Sequence, residues 1–247
     1  MKKWTRAALL AVGFSGFASL AFGNPGDGFA GSEHDGSAHG KPPCLNCHTP
    51  HQGKTTTLIW NHTLSVQTFT WDEPKTTAGT DFPTGTKGDT YTGMSVKCLS
   101  CHDGSVATTD GQWYNAEALP AGTFFVPDPY RVGASGDMSG THPVMMPYPT
   151  NGVASTYNGV TNGPATNLAE WVPNPMATNN IRLYNDDGTG KITAGVVDGK
   201  TGIECGSCHD VHNGPTVTGL FLVRGTNVFD DTSSAAGGYI CYQCHRK

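Results

Sequence analysis

Every cysteine of this chain belongs to a Cys-x-x-Cys-His segment: Cys44/Cys47/His48, Cys98/Cys101/His102, Cys205/Cys208/His209 and Cys241/Cys244/His245. Two cysteines one helical turn apart, followed at once by an imidazole, can grip a macrocycle through two thioether bonds and meet its metal from the same side. That is the attachment pattern of c-type haem. Other chemistries of paired cysteines leave the histidines unexplained. Disulfides suit an exported chain but require no histidine after each second cysteine. Zinc could take paired knuckles as Cys₄ sites, again without use for the four histidines. Thioredoxin-like redox motifs need a βαβ context that the sequence lacks. The motifs therefore predict four covalently bound haem c groups held by these eight cysteines, with His48, His102, His209 and His245 as iron ligands.

Six histidines remain: His34, His39, His51, His62, His142 and His212. Two of them repeat a spacing. In CLNCHTPH (44–51) and CGSCHDVH (205–212) a second histidine follows the motif histidine by three residues. Three residues cover roughly 4.5 Å along a helix and at most about 10 Å extended. That is too little to round a macrocycle and reach the far face of the same iron, so His51 and His212 must each serve a different haem, or none. The spacing of the motifs in sequence suggests His51 for the haem of His102 and His212 for the haem of His245. For the remaining distal positions, His142 precedes a proline that holds its backbone extended, His62 stands near Trp60, and His34 lies early in the chain; His39 sits in a Gly/Ser-rich stretch. Four positions and six candidates leave two histidines spare. All-imidazole ligation favours Fe(III) and predicts low potentials, because thioether ligation is what raises them. Met145 and Met146 are the rival thioethers, read here as core filler.

The elements that must position these groups are sparse. Lys2, Lys3 and Arg6 precede the apolar run AALLAVGFSGFASLAF, which ends in small residues at Ala21–Gly23. This is the pattern of a secretory signal peptide over 1–23, and no other stretch is apolar enough to span a bilayer. Loss of those three basic residues takes the formal charge from −5 to −8, an acidity that argues against nucleic acid as a partner. Charged residues are 14% of the chain, below the typical ~25%. Glycine and proline are 33 and 16 of 247 residues, so turns and loops should dominate. The fold class expected is an irregular, coil-dominated cytochrome, with short helices at the Cys-x-x-Cys-His sites and a few short β-hairpins around a stacked haem core. Residues 24–247 form one tetrahaem domain in this reading, with a loop-rich insertion at about 103–204. Within it, NNIRLYN and KITAGVVDG flank the turn-rich DDGTG and predict a hairpin. The calcium-loop alternative for that turn lacks a glutamate at its twelfth position.

Taken together, HD…CHTPH…LIWNH…CLSCHDGSVA…MSGTHPV…ECGSCHDVHN…CYQCH resembles the doubled-CxxCH multihaem cytochromes of metal-reducing bacteria, and among them the tetrahaem OmcE-type extracellular cytochromes. The likeness covers about 34–245 as islands around the motifs. It implies a secreted protein, extracellular or at the cell surface, that conducts electrons along bis-histidine haems. It also implies a homopolymeric filament in which an early histidine, here His34 with His39 as understudy, ligates a haem of the next subunit. Other electron-transfer cytochromes and external acceptors such as metal oxides are the partners implied. The alternatives are a soluble periplasmic tetrahaem carrier and a multihaem reductase. A reductase needs an open iron position, whereas this chain has histidines enough to close every one, so an electron carrier rather than an enzyme is expected.

Overall fold

The computed structural model describes residues 34–35, 42–51, 53, 59–76, 79–82, 91–105, 126, 128–162, 170–212, 222–225 and 240–246. The expected leader at 1–23 lies outside the described residues, as does His39. Within them the chain is coil-rich, with a few short helices and small antiparallel sheets, in keeping with its glycine and proline content. The helices are α1 (Met94–His102), α2 (Pro175–Thr178) and α3 (Cys205–Cys208), joined by single 3₁₀ turns that include Pro43–Asn46 and Ile240–Gln243. The strands are β1 (Met146–Pro147), β2 (Thr156–Tyr157), β3 (Val160–Thr161), β4 (Tyr184–Asp186), β5 (Ile192–Ala194) and β6 (Thr201–Ile203).

The segment expected to be loop-rich supplies all six of these strands. At two or three residues each they are too short to show a period-two alternation. Turn chemistry closes both hairpins. Asn158 and Gly159 take φ of 49° and 75° between β2 and β3, the two left-handed positions that a two-residue type I′ turn demands. The predicted hairpin is present as β4 and β5, paired from Tyr184↔Ala194 to Asp186↔Ile192. Its acids build the turn: Asp186 Oδ1 accepts from the Gly188 N–H at 2.8 Å and Asp187 Oδ1 from the Thr189 N–H at 2.8 Å. The four-stranded sheet runs β1-β6-β4-β5. Its inner strand β6 leads through Glu204 directly into α3, so the sheet delivers the third Cys-x-x-Cys-His motif.

The apolar core is small and rich in aromatic and sulfur-bearing side chains. Phe69, Tyr91, Val96, Leu99, Met138, Met145, Tyr157, Tyr184 and Ile192 form one cluster, which packs α1 against the sheet. Tyr148, Ile181 and Leu183 form a second, reached by Trp171, Ile240 and Cys244. Met145 is wholly buried in the first cluster and Met146 pairs in β1, which is the core-filling role expected of them.

Candidate site at the four Cys-x-x-Cys-His turns

All four motifs fold into one helical turn. The N–H of the motif histidine donates to the carbonyl of the first cysteine in His48→Cys44 (2.9 Å), His209→Cys205 (3.0 Å) and His245→Cys241 (2.8 Å), and the second motif closes inside α1. A turn of this kind stacks residues i and i+3 on one face, so each pair of cysteines is presented together. None of the eight is in a disulfide.

Three of the turns are then clamped in the same way. Each motif histidine sits in an isolated antiparallel bridge: His48↔Trp60, His209↔Val223 and His245↔Trp171. In each, the residue after the histidine donates to the partner segment, and the partner segment donates back to the second cysteine. The bonds are Thr49→Ile59 (3.0 Å) with Asn61→Cys47 (2.9 Å), Asp210→Leu222 (2.9 Å) with Arg224→Cys208 (2.8 Å), and Arg246→Glu170 (2.7 Å) with Val172→Cys244 (2.9 Å). The fourth is held differently. Val132 N–H donates to the His102 carbonyl at 3.0 Å, and the His102 Nδ1–H donates to the Tyr130 carbonyl at 3.0 Å.

The histidine rings face one another in pairs, each pair combining one motif histidine with one from elsewhere. Ring centres are 6.2 Å apart for His34–His102, 6.4 Å for His48–His212 and 6.4 Å for His142–His245. A metal–imidazole bond is about 2.0–2.1 Å, and the ring centre lies about 1.1 Å behind its nitrogen; two imidazoles on opposite sides of one metal thus stand about 6.3 Å apart. Tautomers agree at two positions. Nδ1 of His102 is tied to Tyr130 and Nδ1 of His142 donates to the Pro143 carbonyl at 2.8 Å, so in each ring Nε2 is the nitrogen that could meet a metal. Burial, then His102 and His209, lowers the His34 pKa, which favours the neutral imidazole. The Trp60 Nε1, beside His48 at a ring distance of 5.9 Å, is buried with no hydrogen-bond partner among the described residues. Among the described residues no three His, Cys, Asp or Glu converge on a point.

These pairs differ from the assignments suggested by spacing. The ring facing His102 is that of His34, not His51, and His212 faces His48 rather than His245. His51 is exposed, and neither it nor His209 has a ring neighbour among the described residues. His62 faces no motif histidine: it is fully buried and its Nε2–H donates to the Asn46 carbonyl at 2.7 Å, so it braces the first turn.

Sequence reasoning missed how the turns are tied together. The carboxylate of Glu204, the N-cap of α3, reaches across to α1. Oε2 accepts from the Ser95 N–H at 2.8 Å, and Oε1 accepts from the hydroxyls of Tyr91 and Tyr157. The same side chain closes a capping box with Ser207, and Ser95 Oγ accepts from the Cys205 N–H at 2.8 Å. One buried acid thus caps both inner motif helices, a use of the N-cap that no sequence pattern announces across about a hundred residues. Cys98 and Cys205 are in hydrogen-bond contact, which raises the first thiol and lowers the second. Burial first, and a neighbouring cysteine second, push Cys47 up to about 11, Cys101 to about 12, Cys208 to about 11 and Cys244 to about 12. The neighbours are Cys47 for Cys101 and Cys208 for Cys244, so the four turns adjoin in chain order. At neutral pH these are protonated, unreactive thiols. No family model and no curated protein sequence matches the chain.

Proposed function

We propose that this chain is an electron-transfer protein that carries four covalently attached haem c groups in one row. The observation that carries the reading is the three facing imidazole pairs at 6.2, 6.4 and 6.4 Å, each containing a motif histidine. When bound, the group supplies a one-electron Fe(III)/Fe(II) couple, set low by two imidazoles. The chain's own part is attachment, orientation and packing. Cys44/Cys47, Cys98/Cys101, Cys205/Cys208 and Cys241/Cys244 are the attachment points. Tyr148 fixes the last turn, its hydroxyl donating to the carbonyls of Val172 (2.7 Å) and Cys244 (3.1 Å). Trp171 covers His245 at 4.5 Å. The adjoining turns bring the groups close enough to hand electrons along, which suits conduction rather than substrate turnover.

The leader-like first 23 residues support export, and the resemblance to filament-forming cytochromes supports an extracellular polymer that passes respiratory electrons to other cytochromes or to metal oxides. Intact mass of the denatured, exported protein tests the central claim. Four added haem masses with a fully low-spin oxidised spectrum is the expected result. A colourless chain, or one whose cysteines hold zinc or disulfides instead, would overturn it.

A further inference from the structure

Beside α3 the described residues line a cavity of about 200 Å³ that none of the histidine pairs uses. Its walls are Met176 of α2, Asn180 and Ile181 from the chain leading to β4, and two arginines, Arg182 and Arg224. Arg224 is 8% exposed. Its Nε–H donates to the carbonyls of Gly206 at 3.0 Å and His209 at 3.3 Å, which fixes the guanidinium against the third motif turn. Its Nη2 pairs with Asp210 Oδ2 at 3.1 Å. A guanidinium carries five N–H donors in a rigid fork, and Nη1 of Arg224 has no acceptor among the described residues. Arg182 is exposed, which gives a ligand a way in from solvent. Its guanidinium meets no carboxylate among the described residues.

The charges on this cavity do not balance. Two guanidiniums line it, and one carboxylate, that of Asp210, answers them. The two cations also act on each other: burial lowers the Arg224 pKa, Asp210 opposes that, and Arg182 lowers it further. Both reach Tyr184, whose hydroxyl is raised by burial and lowered by Arg182 and Arg224. Glu204, the acid that also acts on Tyr184, is already engaged by Ser95, Tyr91 and Tyr157. Guanidinium forks match the two oxygens of a carboxylate. Met176 and Ile181 make part of the lining apolar, which suits a carboxylate on a hydrocarbon stem better than a bare inorganic ion. We infer that Arg182 and Arg224 form a binding site for one carboxylate carried on a short aliphatic stem. Two sources have that chemistry. One is a propionate of the haem attached at Cys205 and Cys208, and this source rests on the haem reading above. The other is a small free carboxylate from solution, which does not.

The test compares the full exported chain with two variants. Arg182→Gln alters an exposed side chain that braces no turn, and Lys191→Gln removes an exposed cation outside the cavity. Sodium acetate is set against sodium chloride at equal ionic strength. A free carboxylate is expected to show as a wild-type thermal midpoint about 2–4 °C higher in acetate, lost in Arg182→Gln and kept in Lys191→Gln. For the other source, haem is labelled at its propionate carboxyl carbons by growth on isotope-labelled aminolevulinate, and the carboxylate bands are read by infrared spectroscopy. A propionate in the cavity is expected to give a labelled band that moves in Arg182→Gln and not in Lys191→Gln, with no acetate response. Either result supports the site. No acetate response, together with labelled bands that Arg182→Gln leaves in place, would overturn it. So would a response that Lys191→Gln changes as much as Arg182→Gln, because net charge alone would then be read. An exported chain without covalent haem, judged by intact mass, would remove the haem reading and leave the acetate comparison to decide the site.

Discussion

Glu204 shows what one side chain does for the row of motifs. It is 1% exposed and receives three hydrogen bonds from Ser95, Tyr91 and Tyr157 besides its capping box. Hydrogen bonds of this kind contribute about 1 kcal/mol each, and truncation leaves the donors buried without an acceptor, at a further cost of about 1–3 kcal/mol. Glu204→Ala is therefore expected to lower stability by about 3 kcal/mol or more, read as a loss in denaturant midpoint. The sign of its pH dependence follows from burial, which raises the carboxyl above its ordinary 4.5, while the hydrogen bonds pull the other way. Lys97 is the nearby cation, itself lowered first by burial and raised by Glu204. A carboxyl raised in the fold binds its proton more tightly there than in the open chain. Its contribution is complete below the unfolded value and is lost as pH rises through the folded one. Relative to Glu204→Gln, which never ionises, the wild type should lose stability as pH climbs above 4.5. Denaturation midpoints of the two proteins across that range check it, and a wild type that gains ground instead would mean that the donors hold the acid ionised.

At the scale of elements, α1 and α3 pack so closely that a side chain at Gly206 has no room. A β-carbon there would run into Met94 Sδ and the Tyr184 hydroxyl. Alanine is the better helix former by about 1 kcal/mol, yet overpacking a filled contact costs about 1–3 kcal/mol. Gly206→Ala should lower the thermal midpoint, and an unchanged or raised one would show that the two helices are free to separate. The same comparison explains what the sequence disclosed. The four turns were legible because Cys-x-x-Cys-His is a contiguous run of fixed residue types that closes one helical turn. The β4–β5 hairpin was legible because DDGTG carries its own turn chemistry. The order β1-β6-β4-β5 was not, because β1 is two residues long and pairs with a strand more than fifty residues away. The histidine pairing escaped for a related reason. Spacing shows that His212 cannot serve its own motif, but only the tertiary fold brings it to His48, past the motif nearer in sequence. Glu204 gave no signal at all, since its second helix cap is made across the core.

For the whole molecule the question is whether the proposed filament is compatible with an early histidine that pairs within its own chain. His34 lies near the start of the described residues, faces His102 of its own chain at 6.2 Å, and is anchored by Asn46 Nδ2 donating to its carbonyl at 3.3 Å. An arm that makes a contact of this kind within one chain can make the identical contact to a neighbour, the exchange that underlies domain swapping. Swapping would carry the row of motifs from chain to chain without any new interface chemistry. It would also meet resistance, because the chains carry like net charge, −5 before any leader is removed, so salt that shortens the screening length to about 8–10 Å should favour assembly. His34→Ala separates the cases. If the arm bridges chains, the variant should hold four covalent groups, one of them high-spin, and fail to elongate by negative-stain microscopy at salt concentrations where the wild type forms fibres. One high-spin group together with normal fibres would confine His34 to its own chain. An unchanged spectrum with normal fibres would remove it from the ligand set altogether.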